Sequence, residues 1–139
     1  MRTILAYLWR FWMVILGTVL TIVFFLPVYL LSIRQKDYKA CYFFIRLWAI
    51  GMFYGMGFRY KLISKTSKKI DKNQAYVIIS NHTSIMDVML PCILFPNHPL
   101  CYVGKKELVK IPIFGTVYKR VCVMVDRSSA RSRADVYRR

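Results

Sequence analysis

Acidic side chains are scarce in this sequence. Its 139 residues include 6 Asp and Glu against 22 Lys and Arg, a formal charge of +16 at neutral pH. A surface so unbalanced seeks polyanions, either nucleic acid or an anionic lipid face. Five arginines (Arg127, Arg131, Arg133, Arg138 and Arg139) gather late in the chain, but no nucleic-acid motif accompanies them, so nucleic acid is not the expected partner. Histidine is scarcer still, with two copies. Cys41, Cys92, Cys101 and Cys122 form no Cys-x-x-Cys pair and have no histidine at zinc-ligand spacing, which argues against a metal site. Three of them fall in apolar runs and read as small core residues, and the absence of a disulfide framework points to a reducing cytoplasm. No internal repeat or low-complexity segment is present.

What fills the space left by acid is apolar. Hydrophobic residues make up 57% of the chain, above the usual range for a soluble domain, and they concentrate at the N-terminus. From Phe11 to Ile33 no charge occurs in 23 residues, long enough to cross a bilayer, with Pro27 expected to kink the helix. A signal peptide is the competing reading, but the apolar region is too long and no small-x-small cleavage site follows. A polar turn, Arg34 to Asp37, leads to a second apolar stretch, Ala40 to Phe58, interrupted by Arg46. Gly51 and Gly55, four apart, either let two helices approach closely or mark an irregular segment. Residues 1–58 are thus expected to form a membrane-associated helical hairpin. If both helices span, the basic run from Arg59 to Lys72 puts the following domain in the cytoplasm, at the inner (cytoplasmic) membrane. A hairpin held in one leaflet avoids exporting Arg34, Lys36 and Lys39 and lets Arg46 reach the headgroups. Both postures stay open.

Residues 59–139 alternate strand-like and helix-like segments, which predicts an α/β fold around a parallel or mixed sheet. Strands are expected at Arg59–Lys65, Ala75–Ser80, Leu100–Val103 and Val121–Val125. Ser67 to Asn73 reads as a lysine-rich loop. A capped helix is expected from Ser84, a helix broken near Pro112 and Gly115 within Glu107–Arg120, and a final helix from Ala130 capped by Ser128 or Ser129. Asn97-His98, flanked by prolines, reads as a loop.

The chemistry centres on Ala75 to Asp87, Ala-Tyr-Val-Ile-Ile-Ser-Asn-His-Thr-Ser-Ile-Met-Asp. In one continuous helix, residues five apart point about 140° away from each other and could not meet. A chain that turns after His82 can bring Asp87 back to the imidazole, where its carboxylate orients one ring nitrogen and leaves the other as a base. That is the logic of a Ser-His-Asp triad whose nucleophile is supplied by the substrate. The bland reading of the bare spacing is a surface histidine beside a helix cap. Asn81, Ser84 and the strand-like run before them favour the sharper one. Arg127 and Lys105 each follow a β-rich stretch and are the cations that could lie on the same sheet edge as His82, where they would hold an anionic group. The plain alternative for Arg127 is a surface charge.

Asn81-His-Thr-Ser-Ile-Met-Asp87 resembles the first signature block, Asn-His-x4-Asp, of the glycerolipid acyltransferases typified by 1-acyl-sn-glycerol-3-phosphate acyltransferase. Gly104-Lys-Lys-Glu-Leu-Val-Lys-Ile-Pro-Ile-Phe-Gly115, followed by Val121-Cys-Val-Met-Val-Asp-Arg127, resembles the second. A glycine expected shortly before that strand is replaced by Val121 and Cys122. The resemblance covers about Tyr76 to the C-terminus and implies the first half of an α/β acyltransferase domain. It implies that an acyl thioester, acyl-CoA or acyl-ACP, serves as co-substrate without a further cofactor, and that the acceptor is membrane-borne lysophosphatidic acid, giving phosphatidic acid in phospholipid biosynthesis. His82 and Asp87 are then catalytic, and Arg127, Lys105, Asn81 and Ser84 bind substrate. The third block of the family, Pro-Glu-Gly-Thr-Arg or similar, is not found, and no Glu-Gly pair occurs. The expectation is therefore a piece of a longer enzyme or a truncated member, with a catalytically silent membrane protein, or an enzyme for another lipid acceptor, as the alternatives.

Overall fold

In a computed structural model the chain is described over residues 2–66, 70–71, 73–81 and 83–136. The charge-free stretch does what its composition requires: with no charge to interrupt it, it continues the helix that starts at Arg2, and the whole is α1 (Arg2–Leu31), which runs on through Pro27. The polar turn tightens into a single 3-10 turn, Gln35–Asp37, and the chain returns as α2 (Tyr38–Gly55). The two pack against each other as a hairpin. Gly51 and Gly55 make that contact possible. A Cβ on Gly51 would come 2.9 Å from the Leu20 side chain, and one on Gly55 would come 2.6 Å from that of Leu16. The close-approach reading of the two glycines therefore holds. Indole N–H groups close the seam: Trp12 donates to Gly55 O at 2.9 Å, and Trp48 to Thr21 Oγ1 at 3.2 Å.

Beyond the hairpin the fold is α/β. A 3-10 turn, Ile85–Val88, runs into α3 (Met89–Leu94). Then follow β1 (Tyr102–Lys105), a 3-10 turn over Lys106–Lys110, α4 (Phe114–Val121), β2 (Cys122–Val125) and α5 (Ala130–Asp135). β1 and β2 pair in parallel, with Tyr102 opposite Cys122 and Lys105 opposite Val125. The crossover through α4 is what a parallel pair requires. Ser129 caps α5, its side chain accepting from Ser132 N.

The core lies between the hairpin and α3. Met86, Met89 and Cys92 recur at helical spacing and meet Tyr42, Ala49 and Met52 of α2, with Met13, Leu16 and Leu20 of α1 behind them. Side chains of α2 also reach main-chain oxygens of the following domain. Tyr38 OH donates to Leu100 O at 2.6 Å, Tyr42 OH to Phe95 O at 3.3 Å, and Arg46 Nε to Cys92 O at 3.1 Å. Positions four apart share a helix face, so the three form one row.

Two expected strands are absent. Residues 59–65 and 75–80 are irregular and exposed, with Val77 and Ile79 at 90% and 92% exposure. The physical reason is that β propensity specifies a surface suited to pairing, not the pairing itself. Among the described residues the sheet contains β1 and β2, and neither segment joins it.

Candidate active site

The turn from Thr83 to Asp87 is built around one carboxylate. Ser84 has extended backbone (φ −137°, ψ 153°), and its hydroxyl accepts from Met86 N at 3.2 Å. Asp87 Oδ2 folds back to accept from the backbone N–H of Thr83 and of Ser84, each at 2.6 Å, and lies 3.4 Å from Thr83 Oγ1. This is a capping box with Asp in place of the usual Glu or Gln. The chain therefore does turn here, and the Asp87 carboxylate sits against the residue next to His82. His82 itself lies outside the described residues. Asn81 is exposed, on the irregular segment that leads into the turn.

The turn is tied to the sheet at Tyr102, the first residue of β1. Its hydroxyl donates to Val88 O at 2.7 Å and lies 3.2 Å from Cys92 Sγ. Burial pushes the Tyr102 hydroxyl pKa upward, with the hydrogen bond to Cys92 adding to the shift, and burial likewise raises the Cys92 thiol. Across the strands Cys122 is pushed up to about 12, again first by burial and then by neighbouring Cys101. These upward shifts keep Tyr102, Cys92 and Cys122 neutral over the physiological range. Among the described residues no group of three His, Cys, Asp or Glu is placed to hold a metal ion.

Lys105 ends β1 and Arg127 follows β2 by two residues, so the parallel register brings both exposed cations to one end of the sheet. Tyr102, where the Asp87 turn is tied, is three residues before Lys105, about 10 Å along the strand. The backbone at Arg127 is braced from both sides. Asp126 Oδ1 accepts from Ser128 N at 3.0 Å and Ser128 Oγ at 2.5 Å, bonds that hold its carboxyl below the usual range. Arg133 Nη1 donates to Arg127 O at 2.7 Å. The sequence grouped Arg133 only with the late arginines weighed against nucleic acid and gave no sign of this brace, which depends on α5 turning back from Ser129.

The second block also explains two of its glycines. A Cβ on Gly115 would strike Val109 O, and one on Gly104 would strike the hydroxyl of Tyr118. Tyr118, stacked on Phe114, has its hydroxyl buried and, among the described residues, without a hydrogen-bond partner. It was not a residue the sequence singled out.

A family model described as Acyltransferase matches residues 61–139, more than half of the chain. The chain belongs to the acyltransferase family. The matched residues include both blocks, the Asp87 turn and the Lys105/Arg127 end of the sheet. No curated protein and no solved structure gives a match to the chain.

Proposed function

We propose that this acyltransferase moves an acyl chain from a thioester, acyl-CoA or acyl-ACP, to the free hydroxyl of 1-acyl-glycerol-3-phosphate. His82 takes the proton of the attacking hydroxyl, and Asp87 fixes its tautomer and stabilises the imidazolium. The hydroxyl oxygen bonds to the thioester carbonyl carbon and the thiolate leaves, to be protonated by His82. Lys105 and Arg127 hold the acceptor phosphate, while Asn81 and Ser84 line the turn. The observation that carries this reading is the turn itself, which sets a carboxylate against the peptide following the histidine, as an orienting acid requires.

Membrane attachment supports a lipid acceptor. α1, from Thr3 to Leu31, is long and apolar enough to cross a membrane, and Ile4, Leu8, Phe11, Ile22 and Leu26 on it are exposed. Yet Met86 and Met89 belong to one core cluster with Ala49 and Met52 of α2, and Met13 and Leu16, near the middle of α1, pack against that cluster. An upright α1 would carry the polar Thr83–Val88 turn into the hydrocarbon. The hairpin (residues 1–58) therefore lies along one leaflet in this proposal, on the cytoplasmic membrane, with residues 59–139 facing the cytoplasm.

The test is conversion of lysophosphatidic acid to phosphatidic acid by membranes carrying the chain, with acyl-CoA or acyl-ACP supplied. His82→Ala should lower the rate at least about a hundredfold, the lower range of general-base catalysis. Equal rates for wild type and variant would reject the proposal. A second reading, membrane binding without turnover, is favoured by the unpaired apolar run at 75–80, and absence of conversion by the wild type would select it.

A further inference from the structure

On the side of α2 away from α1, an open cleft of about 220 Å³ lies between the start of that helix and the loop after α3. Lys39, Tyr42, Phe43 and Arg46 supply one wall and Asn97 part of the other, and no Asp or Glu among the described residues lines it. Lys39 and Arg46 are seven apart, two helical turns, so both rise from one face about 10 Å apart. Arg46 is unusual in its setting, a guanidinium on an apolar helix, where a charge without a counterpart is costly. Its Nε is held by Cys92 O, which leaves both amino groups without a protein hydrogen bond among the described residues.

We propose that this cleft binds the headgroup phosphate of an anionic glycerophospholipid of the surrounding bilayer, at a place separate from the Lys105/Arg127 end of the sheet. A fixed guanidinium and a flexible ammonium suit a phosphodiester, the first as a fork and the second as a point charge. The volume is below the roughly 300–1,000 Å³ of sites that enclose a whole ligand, so it admits a headgroup and leaves the acyl chains outside. An apolar track for them starts at the rim. Phe43, 52% exposed, meets Phe44 edge-on at 5.5 Å, and Phe44 lies 6.4 Å from Phe24 of α1. That track leads from the cleft toward α1, whose apolar side chains face the lipid. The site does not depend on the acyl-transfer reading, and its test reads binding, not turnover.

The full chain in phosphatidylcholine nanodiscs is photolabelled with a trace of phosphatidylglycerol carrying a diazirine beside its headgroup, and the labelled peptides are mapped. Labels are expected within residues 39–46 and 96–99. Lys39→Gln, at an exposed position where unfolding is not a concern, should reduce them about fivefold, as should Arg46→Gln, while Lys119→Gln should not. Unlabelled phosphatidylglycerol should compete, and phosphatidylcholine and inorganic phosphate should not. Labels spread evenly over the basic surface, labels unchanged in both variants, or competition by inorganic phosphate as strong as by the lipid would each overturn the proposal.

Discussion

Asp87 carries two separable duties. Its carboxylate ties Thr83 and Ser84 at 2.6 Å, a structural task, and in the proposed reaction it also carries the charge that the imidazolium needs. Asp87→Ala should remove both, lowering stability by about 0.5–2 kcal/mol in denaturant melts, as loss of a cap does. Asp87→Asn keeps an acceptor oxygen for the turn, so it should melt closer to wild type and still lose acyl transfer. If both variants lose activity only in proportion to stability, the carboxylate is merely a cap. Tyr118 presents the opposite case, a buried hydroxyl with no hydrogen-bond partner among the described residues. Tyr118→Phe discards a group whose unsatisfied burial costs about 1–3 kcal/mol and keeps the ring stacked on Phe114. The variant should melt at a higher temperature than wild type, and a lower one would mean that the hydroxyl has a partner in solution.

At the scale of elements, legibility followed locality. α1, α2, the capped turn at Ser84 and α5 with its Ser129 cap were readable because a helix makes its hydrogen bonds within a few residues and its caps are single side chains. β1 and β2 were readable within about two residues. The segments at 59–65 and 75–80 have composition as strand-like as β2, yet composition cannot name a neighbour, and a strand exists only beside one. The candidate site divided in the same way. The fold-back of Asp87 followed from a turn signal in the sequence, whereas the Arg133 brace and the orphan hydroxyl of Tyr118 arise between elements. The hairpin seam gives a sharp test of element packing. Gly55→Leu places a branched side chain where Leu16 already sits within 2.6 Å of a bare Cβ. It should destabilise the chain by about 1–3 kcal/mol, the range for overpacking, read as a lowered unfolding midpoint in detergent. No change would mean that the helices do not pack in this way.

For the whole molecule, the exposed apolar side of α1 and the cationic surface act together. Trp9 and Trp12, 43% and 47% exposed, should be quenched by brominated lipid in anionic vesicles, and far less in the absence of anionic lipid or at high salt. Equal quenching in neutral vesicles would show that apolar burial alone seats the protein. Residues 59–139 separated from the hairpin lose the surface against which Met86, Met89 and Cys92 are buried. They should show no cooperative unfolding transition in plain buffer, and a sharp calorimetric peak would contradict that.

The row of Tyr38, Tyr42 and Arg46 has a further effect on how freely the chain can change. Its three acceptors, Leu100 O, Phe95 O and Cys92 O, are peptide oxygens, a group that all twenty amino acids offer alike. The joint is thus written on one partner only: mutations in the α3 loop that preserve its path leave the attachment intact, while each of the three donors on α2 has no substitute. Divergent copies of this chain are thus free to vary the loop's side chains without loosening its grip on the hairpin.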